Sequence, residues 1–270
     1  MPESHQRSHG ELRLSFKLRD GRTVLDGLRQ EGCLKARFPR AEDGAWTSVV
    51  TLNSSGGVAG GDVLATRVEA GPGTQATVAS QAAERFYRAL PDAEASVATT
   101  LHVAPGAALE WLPQETILFD RCAVRRRLSI DLAPDAWYLG VESLVFGRAA
   151  MGEEVHTARF RDLIQVRRAG RLLLHDAIRL EGPVAALLDR PATGGGARAV
   201  ATVIHAAPDA EAWLDPVRAA LDGCQAGVSA WDGLLVARIV AENGACLRRA
   251  VVQGLNVLRR GRPLPRVWMC

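Results

Sequence analysis

The chain has 270 residues, of which 47% are hydrophobic, and a formal net charge of +3. This length can bury a sizeable core without disulfide bonds, and the small charge argues against a dedicated nucleic-acid-binding domain. No secretory signal precedes residue 20 and no apolar run is long enough to cross a membrane, so we expect a cytoplasmic protein that binds neither membrane nor nucleic acid.

The N-terminal two thirds of the chain predict strands. Residues 1 to 11 are predicted to form a flexible N-terminus, and from residue 12 to 180 short apolar runs alternate with period two between turn sequences. Many short strands at near-regular spacing predict a mainly β fold, with a sandwich, a barrel or a solenoid as the alternatives. In the run from Val124 to Leu132, Arg126 is the one charged residue on the apolar face. The alanine-rich segment from Thr77 to Leu90 fits a helix or strands on propensity alone.

Two α-helices are predicted in the C-terminal half. Asp215-Pro216 reads as an N-cap followed by proline at the first helical position, and Gly223 ends that segment. A second helix is predicted from Asn243 to Arg260. Its apolar stripe consists of Leu247, Val251, Leu255 and Leu258.

The glycines at 194 to 196 predict a loop before a further strand from Val200 to His205. Because that strand needs partners from the first part of the chain, we predict a single domain over residues 12 to 270.

A glycine-rich block runs from Gly56 to Asp62, with the sequence GGVAGGD. A phosphate-binding loop of the Walker type requires Gly-Lys-Ser/Thr after its glycines, and neither Lys17 nor Lys35 follows a glycine. The block instead predicts a tight turn that leads into a strand, with Asp62 accepting hydrogen bonds from backbone amides.

A second block, LEWLPQETILF, covers residues 109 to 119. Strand alternation places Glu110 and Glu115 on opposite faces, and Pro113 predicts an edge, bulge or bend. Two interpretations are open for the carboxylates: they face solvent or pair with arginine, or they line a polar groove or passage.

A third acidic group lies around the sequence FGRAAMGEE, where Glu142 precedes Gly147-Arg148 and Glu153 follows. A structural ion pair between Arg148 and Glu153 is one interpretation, and a site that faces a cation is the other.

Recognisable catalytic and metal-binding motifs are absent from the sequence. The five cysteines and six histidines are scattered, without the spacing of a zinc site, and His5 and His9 at the N-terminus are the only close pair of histidines. No Gly-x-Ser-x-Gly nucleophile elbow occurs. The sequence therefore predicts neither a preformed tight metal site nor nucleophilic catalysis.

The blocks at residues 56–62, 109–119 and 265–268 resemble, in this order and spacing, the urease accessory protein family called UreD, or UreH in some species. The segments at residues 80–87 and 147–153 resemble the same family, with Ser80 and Arg85 replacing its usual threonine and lysine. The residues that carry the motifs are Gly56, Gly57, Gly60, Gly61, Gln81, Tyr87, Trp111, Pro113, Gln114, Gly147, Arg148 and Trp268.

The resemblance implies a β-solenoid, a helical stack of short strands with two α-helices in its C-terminal half, and it places Thr77 to Leu90 in strands. It implies a scaffold rather than an enzyme, working with UreF, UreG and the apo-urease subunits to load nickel. No permanently bound cofactor is expected, only transient nickel. Since nickel binds tightly to most ligand sets, a conduit needs weak oxygen ligands at several points. The candidate conduit residues are Asp62, Glu110, Glu115, Glu142 and Glu153.

Two other functions stay open at this point. A β-solenoid enzyme acting on carbohydrate would need two carboxyl groups, such as Glu110 and Glu115, roughly 5 to 9.5 Å apart across a groove. A generic β-rich binding module would have partners outside the urease system.

Overall fold

A computed structural model describes residues 7–39, 46–148 and 152–269. Within these ranges the chain forms seventeen strands and three α-helices. The strands are β1 (His9–Arg19), β2 (Arg22–Gly32), β3 (Leu34–Arg37), β4 (Thr47–Asn53), β5 (Val63–Ala70), β6 (Gln75–Ser80), β7 (Glu84–Phe86), β8 (Ala95–Val103), β9 (Ala108–Leu112), β10 (Thr116–Leu118), β11 (Ala123–Leu132), β12 (Trp137–Phe146), β13 (Thr157–Arg168), β14 (Arg171–Pro183), β15 (Ala199–Ala206), β16 (Ala226–Trp231) and β17 (Leu234–Ala241). The helices are α1 (Val184–Leu188), α2 (Leu214–Ala220) and α3 (Gly244–Leu258), and 3₁₀ segments cover Ala210–Trp213 and Arg266–Trp268.

The strands of the described residues form two sheets. The first sheet has the order β14-β13-β11-β8-β5-β1-β2, and the second sheet has the order β16-β17-β15-β12-β9-β6-β4-β3, with β10 and β7 attached beside β12. From β5 to β13, the long strands alternate between the two sheets and pair in parallel with the strand of the next turn. This coiled arrangement confirms the mainly β, solenoid-like fold.

Three layers bury the apolar residues. One core lies between the two sheets and includes Leu12, Phe160 and Tyr138, and a second lies between the outer surface of the second sheet and helices α2 and α3. The stripe of α3 is buried in that second core. Because the second sheet is covered on both faces, every residue of β9 is buried, as expected for a strand without a solvent-facing side.

The positions of the two predicted helices are confirmed, but one predicted N-cap is not. The side chain of Asn243 caps α3 by accepting a hydrogen bond from the Cys246 amide at 2.9 Å. The prediction that Asp215 caps α2 is wrong, because the preceding 3₁₀ segment leads directly into the helix and Trp213 takes the N-cap position. The short helix α1 was not predicted, since five residues are too few for a periodic pattern.

The segment from Thr77 to Leu90 contains the end of β6 and all of β7, so the strand assignment is confirmed over the helical one. The predicted strand from Val200 to His205 is β15. At the N-terminus β1 begins at His9, inside the segment predicted to be flexible. Residues 1–6 of that segment, with His5, lie outside the described residues.

Among the helices of the described residues, none combines the length and the apolar character that a membrane crossing requires.

Candidate functional site

A cavity of about 280 Å³ lies between the two sheets. Inward-facing residues of the first sheet form one wall, among them Thr66 on β5 and Thr99 on β8, which are register neighbours. The opposite wall includes Trp111 on β9 and Glu142 on β12. Residues from three of the sequence motifs line this interior cavity together with Glu142: Gly56, Gln81, Trp111, Pro113 and Gln114.

Arg126 is the central charge of the cavity. It lies directly opposite Asp162 on the neighbouring strand, and its Nε donates to Asp162 Oδ1 at 2.9 Å while Nη2 donates to the other carboxylate oxygen. Its Nη1 crosses between the sheets and donates to Glu142 Oε2 at 2.7 Å. Glu142 also accepts a hydrogen bond from Trp111 Nε1 at 2.9 Å. The arginine that broke the apolar pattern of β11 thus joins the two sheets through a buried ion-pair network.

The lining of the cavity carries charges of both signs, Glu84 and Glu142 together with Arg85, Arg126 and Arg127. One guanidinium, that of Arg126, faces both Asp162 and Glu142. Burial raises the pKa of Glu142, with the nearby Asp162 adding to the effect and Arg126 opposing it. Burial also raises the pKa of Glu84, a further cavity residue, whose carboxylate accepts from Asn53 Nδ2 at 3.3 Å. Buried carboxylates of this kind favour the approach of a proton or a cation.

Gln114 links the cavity wall to the C-terminal segment. Its side-chain amide donates to the backbone oxygen of Gln81 at 3.0 Å and to that of Val267 at 2.6 Å. Its own backbone amide donates to Ser80 Oγ at 2.8 Å. Pro113 separates β9 from β10, as the predicted break in the strand requires. Three motif segments therefore meet at one side of the interior cavity.

The glycine-rich block is a turn packed against Tyr87. The Tyr87 hydroxyl donates to the Gly56 oxygen at 3.1 Å, and a Cβ built on Gly57 would lie 2.4 Å from the Tyr87 ring. Asp62 Oδ2 accepts from the Ala59 amide and Oδ1 accepts from the Ser8 amide, both at 2.8 Å. The turn with Asp62 as acceptor is confirmed, and Gly60 and Gly61 belong to the same turn, which leads into β5.

Glu110 lies on the opposite face of the second sheet from the cavity, beneath the C-terminal end of α3. It is fully buried and is held by Arg259 with two hydrogen bonds of 2.9 and 3.0 Å. Arg262 donates to it at 2.6 Å and Thr77 Oγ1 also at 2.6 Å. Of the two interpretations given for Glu110, the arginine pair matches its position.

Glu115 follows the strand break and is bound by Arg248 of α3, whose Nη1 lies 3.0 Å from the carboxylate. The same arginine donates to the Trp268 oxygen at 2.6 Å and stacks over the Trp268 ring. Trp268 is buried, and its Nε1 donates to the Leu112 oxygen at 3.0 Å. This contact fixes the C-terminal motif against the end of β9.

Glu153 is paired with Arg148 at 2.7 Å, on the outside of the coil. The Arg148 guanidinium also stacks over the Phe119 ring at 4.8 Å. Gly147 has a φ of +79°, and a Cβ there would lie 2.3 Å from the Glu153 oxygen. The structural interpretation of this motif matches its geometry.

The five candidate conduit residues are therefore not gathered in one place. Glu142 alone among them lines the interior cavity, whereas Glu110 and Glu115 contact α3, Asp62 lies in a turn and Glu153 is on the surface. Within the described part of the chain, no group of three or more His, Cys, Asp or Glu side chains is arranged to hold a metal ion.

Sequence reasoning missed several participants in these networks. Asp162 and Glu84 carried no local signal beyond their strand positions, and Arg259 lies 149 residues from Glu110 along the chain. Arg126 did carry a signal, since it was the charged exception on an apolar strand face. A charged residue on a buried strand face requires a partner, so Arg126 indicated that the interior contains a network of ion pairs.

Comparison with known proteins agrees with the motifs. The profile of the UreD urease accessory protein family matches residues 8–269. A urease accessory protein UreD from Rhizobium leguminosarum bv. trifolii is 46% identical over 263 residues, which cover 97% of this chain and 96% of the relative. UreD proteins from a Methylobacterium species and from Xanthobacter autotrophicus are 48% and 46% identical, over 95% and 90% of their lengths and 97% of this chain. The chain therefore belongs to the UreD family of urease accessory proteins.

Proposed function

We propose that this chain is a non-enzymatic scaffold of urease maturation that joins UreF and UreG on apo-urease and helps to deliver nickel to the urease active site. Family membership supports the urease part of this proposal. The observation that carries the nickel part is the interior cavity, which is lined by Glu84, Glu142 and Arg126 and by residues of three sequence motifs. The proposal takes residues 12 to 270 as one domain that acts in the cytoplasm.

The chemistry of the cavity supports brief occupancy by a cation. The oxygen donors along its lining include Glu142, Glu84 and the hydroxyls of Thr66 and Thr99, and the described lining residues supply no thiolate or imidazole. Three arginines, Arg85, Arg126 and Arg127, also line the cavity, so a cation would be held only weakly. Oxygen ligands hold nickel less firmly than nitrogen or sulfur ligands do. Burial makes the charged form of these carboxylates unfavourable, so a divalent cation that approaches them is attracted. The cation would leave again because the described lining residues do not form a closed ligand set around it. Nickel is the cargo in this proposal, and no resident cofactor is invoked.

The positions of Asp62, Glu110, Glu115 and Glu153 restrict their proposed part in the conduit. Each already accepts hydrogen bonds from an arginine or from backbone amides. Glu142 is also hydrogen-bonded, to Arg126 and Trp111, but it is the one candidate of the five that lines the cavity. We therefore propose that Glu142 is the main contact and that the other four act by holding the scaffold around it.

The C-terminal half supplies candidate partner surfaces. The edge strand β16 packs beside α2, and the exposed Met269 follows the buried Trp268 in the tail after α3. An unpaired strand edge and exposed apolar groups are typical of a protein that is covered in a complex.

The enzyme alternative is disfavoured. UreD proteins are accessory factors rather than catalysts. Glu110, one of the two carboxylates proposed for glycoside cleavage, is fully buried and held by Arg259 and Arg262, so it is closed to a saccharide. A generic binding module is disfavoured because the match to one urease family covers nearly the whole chain.

The test is deletion of this chain from a urease-producing host. We expect urease subunits at normal abundance but with low nickel content and low activity, and recovery of both when the chain is supplied from a plasmid. Full nickel loading in the deletion strain would contradict the proposal.

A second experiment addresses the partners. The chain should co-purify with UreF and UreG, and metal analysis of the complex should detect nickel that is lost on dialysis against a chelator. A complex that lacks either protein would remove the scaffold part of the proposal.

A further inference from the structure

A second cavity, the tail pocket, is lined by residues of β4 and of the segment that follows α3. Its volume is about 150 Å³. The polar residues of its described lining are Ser48, Thr77, Arg259, Arg262 and Arg266. The other described lining residues are apolar, and none of them is a carboxylate. The charged groups along this pocket are therefore all positive, whereas the interior cavity carries charges of both signs.

Two of the pocket arginines share a single carboxylate, that of Glu110. Arg259 donates to both oxygens of Glu110, at 2.9 and 3.0 Å, and Arg262 Nη2 donates to Oε1 at 2.6 Å. Glu110 is fully buried and Arg259 is only 4% exposed. Burial of a charge is costly unless an opposite charge compensates it. Two guanidinium groups against one carboxylate leave one positive charge of this cluster uncompensated.

The neighbouring Arg260 provides the contrast. It pairs with Asp209 at 2.7 Å and stacks over the Trp213 ring at 4.8 Å. Both members of this ion pair are about half exposed, with side-chain exposures of 52% and 51%. One arginine therefore faces one carboxylate at the surface, whereas the excess of positive charge lies at the pocket.

Arg262 is held in place and keeps donors for a ligand. Its guanidinium lies 3.7 Å from the centre of the Trp46 ring. Of its side-chain nitrogens, only Nη2 has an acceptor among the described residues. Burial lowers the pKa of Arg262 against the opposing effect of Glu110, and Arg259 lowers it further. A guanidinium that stacking has already fixed loses little conformational freedom when it binds an anion.

The size of the tail pocket restricts the ligand. Pockets for drug-sized molecules measure about 300–1,000 Å³, so a cavity of about 150 Å³ admits an ion of a few heavy atoms and not a nucleotide. Guanidinium groups bind the oxygens of carboxylates and phosphates in a bidentate manner. A positively charged pocket of this size therefore fits a small oxyanion.

We propose that the tail pocket is a binding site for a small oxyanion of the carboxylate or phosphate type, with Arg262 as its main contact. The anion completes the charge balance that Glu110 alone leaves unfinished. It also links the segment from residue 262 to 267 to β4, since both line the pocket. The site is separate from the interior cavity, and the assignment does not depend on the nickel proposal.

The test measures binding of inorganic phosphate and of acetate to the full chain, with the ionic strength held constant by sodium chloride. Phosphate represents tetrahedral oxyanions and acetate represents planar carboxylates. Calorimetric titration gives the dissociation constant, and thermal unfolding gives the stabilisation. The variant is Arg262→Gln, which leaves Arg259 and Glu110 as a one-to-one ion pair and should therefore fold. The matched control is Arg260→Gln, which removes the adjacent arginine at the surface.

We expect one of the two anions to bind the unaltered chain with a dissociation constant of about 1 mM or tighter. At a tenfold excess over that constant, the melting temperature should rise by about 3–5 °C. Arg262→Gln should weaken binding at least about 10-fold and remove most of this rise. Arg260→Gln should change the affinity less than about twofold, because its ion pair is exposed.

Three results would overturn the proposal. In the first, the unaltered chain shows no saturable binding of either anion, a result that does not require any variant to fold. In the second, the folded Arg262→Gln variant binds as tightly as the unaltered chain. In the third, both variants lose affinity equally, which indicates diffuse attraction to surface charge. Each of these results leaves the proposed role in urease maturation standing, since that role is tested by nickel content.

Discussion

Replacing Arg126 with methionine should destabilise the fold more than replacing any exposed arginine. The substitution keeps an unbranched side chain of similar length but removes the guanidinium that donates to Asp162 and Glu142. It leaves two carboxylates in the interior without their countercharge, a change that costs about 3–5 kcal/mol when one partner of a buried ion pair is deleted. For a chain of this size the melting temperature should fall by on the order of 10 °C.

The matched control is Arg148→Met, which removes an arginine whose ion pair with Glu153 is on the surface. Exposed pairs contribute about 0–1 kcal/mol, so this variant should stay close to the unaltered protein. Urea unfolding at pH 7 measures both. The deficit of the Arg126→Met variant should shrink as the pH falls, because burial raises the pKa of Glu142 and its protonation removes an uncompensated charge. Equal losses for the two variants, or a deficit independent of pH, would refute the assignment of a buried network.

Three further predictions concern buried or strained positions. Burial lowers the pKa of His205 from 6.5 to about 4, so the unfolded chain takes up a proton at a higher pH than the folded chain does. The free energy of unfolding should therefore fall by about 3 kcal/mol between pH 6.5 and 4. Acid unfolding curves of the His205→Asn variant should lack this pH dependence. Gly57→Ala should cost about 3 kcal/mol in urea unfolding, since φ is +149° and the new Cβ would collide with a ring, whereas Gly56→Ala, with open space around it, should cost about 1 kcal/mol. Trp268→Ala should cost about 3–5 kcal/mol by the same assay, whereas Met269→Ala should cost close to zero because Met269 is 70% exposed. A larger loss for Gly56→Ala than for Gly57→Ala would contradict the packing described for the turn. A larger loss for Met269→Ala than for Trp268→Ala would contradict the packing described for the tail.

Periodicity was sufficient to predict the strands but not their pairing. The alternation from residue 12 to 180 and the helix signals at Asn243 and Gly261 describe local geometry, which the sequence encodes within a few residues. The choice between sandwich, barrel and solenoid depends on contacts such as that of β5 with β8, which no local pattern specifies. The solenoid was predicted from the resemblance of the motifs to the UreD family and not from the periodicity.

The candidate site was predictable only in part, for the same reason. The position of a carboxylate within a motif block does not indicate which face of a strand it occupies. Glu110 and Trp111 are neighbours in sequence, yet one is covered by α3 and the other lines the interior cavity. The partner of Glu115 is Arg248, 133 residues away, so its contact with α3 could not be deduced from spacing.

The interior route of nickel is the central claim, and blocking the cavity tests it most directly. Thr99 of β8 faces the cavity, and its neighbour Thr100 faces outward from the same strand. The measurement is the nickel content per urease active site in cells that carry either Thr99→Trp or Thr100→Trp, at matched levels of folded protein. We predict nickel-poor urease with Thr99→Trp and full loading with Thr100→Trp. Full loading with a folded Thr99→Trp protein that still binds its partners would contradict passage through this cavity.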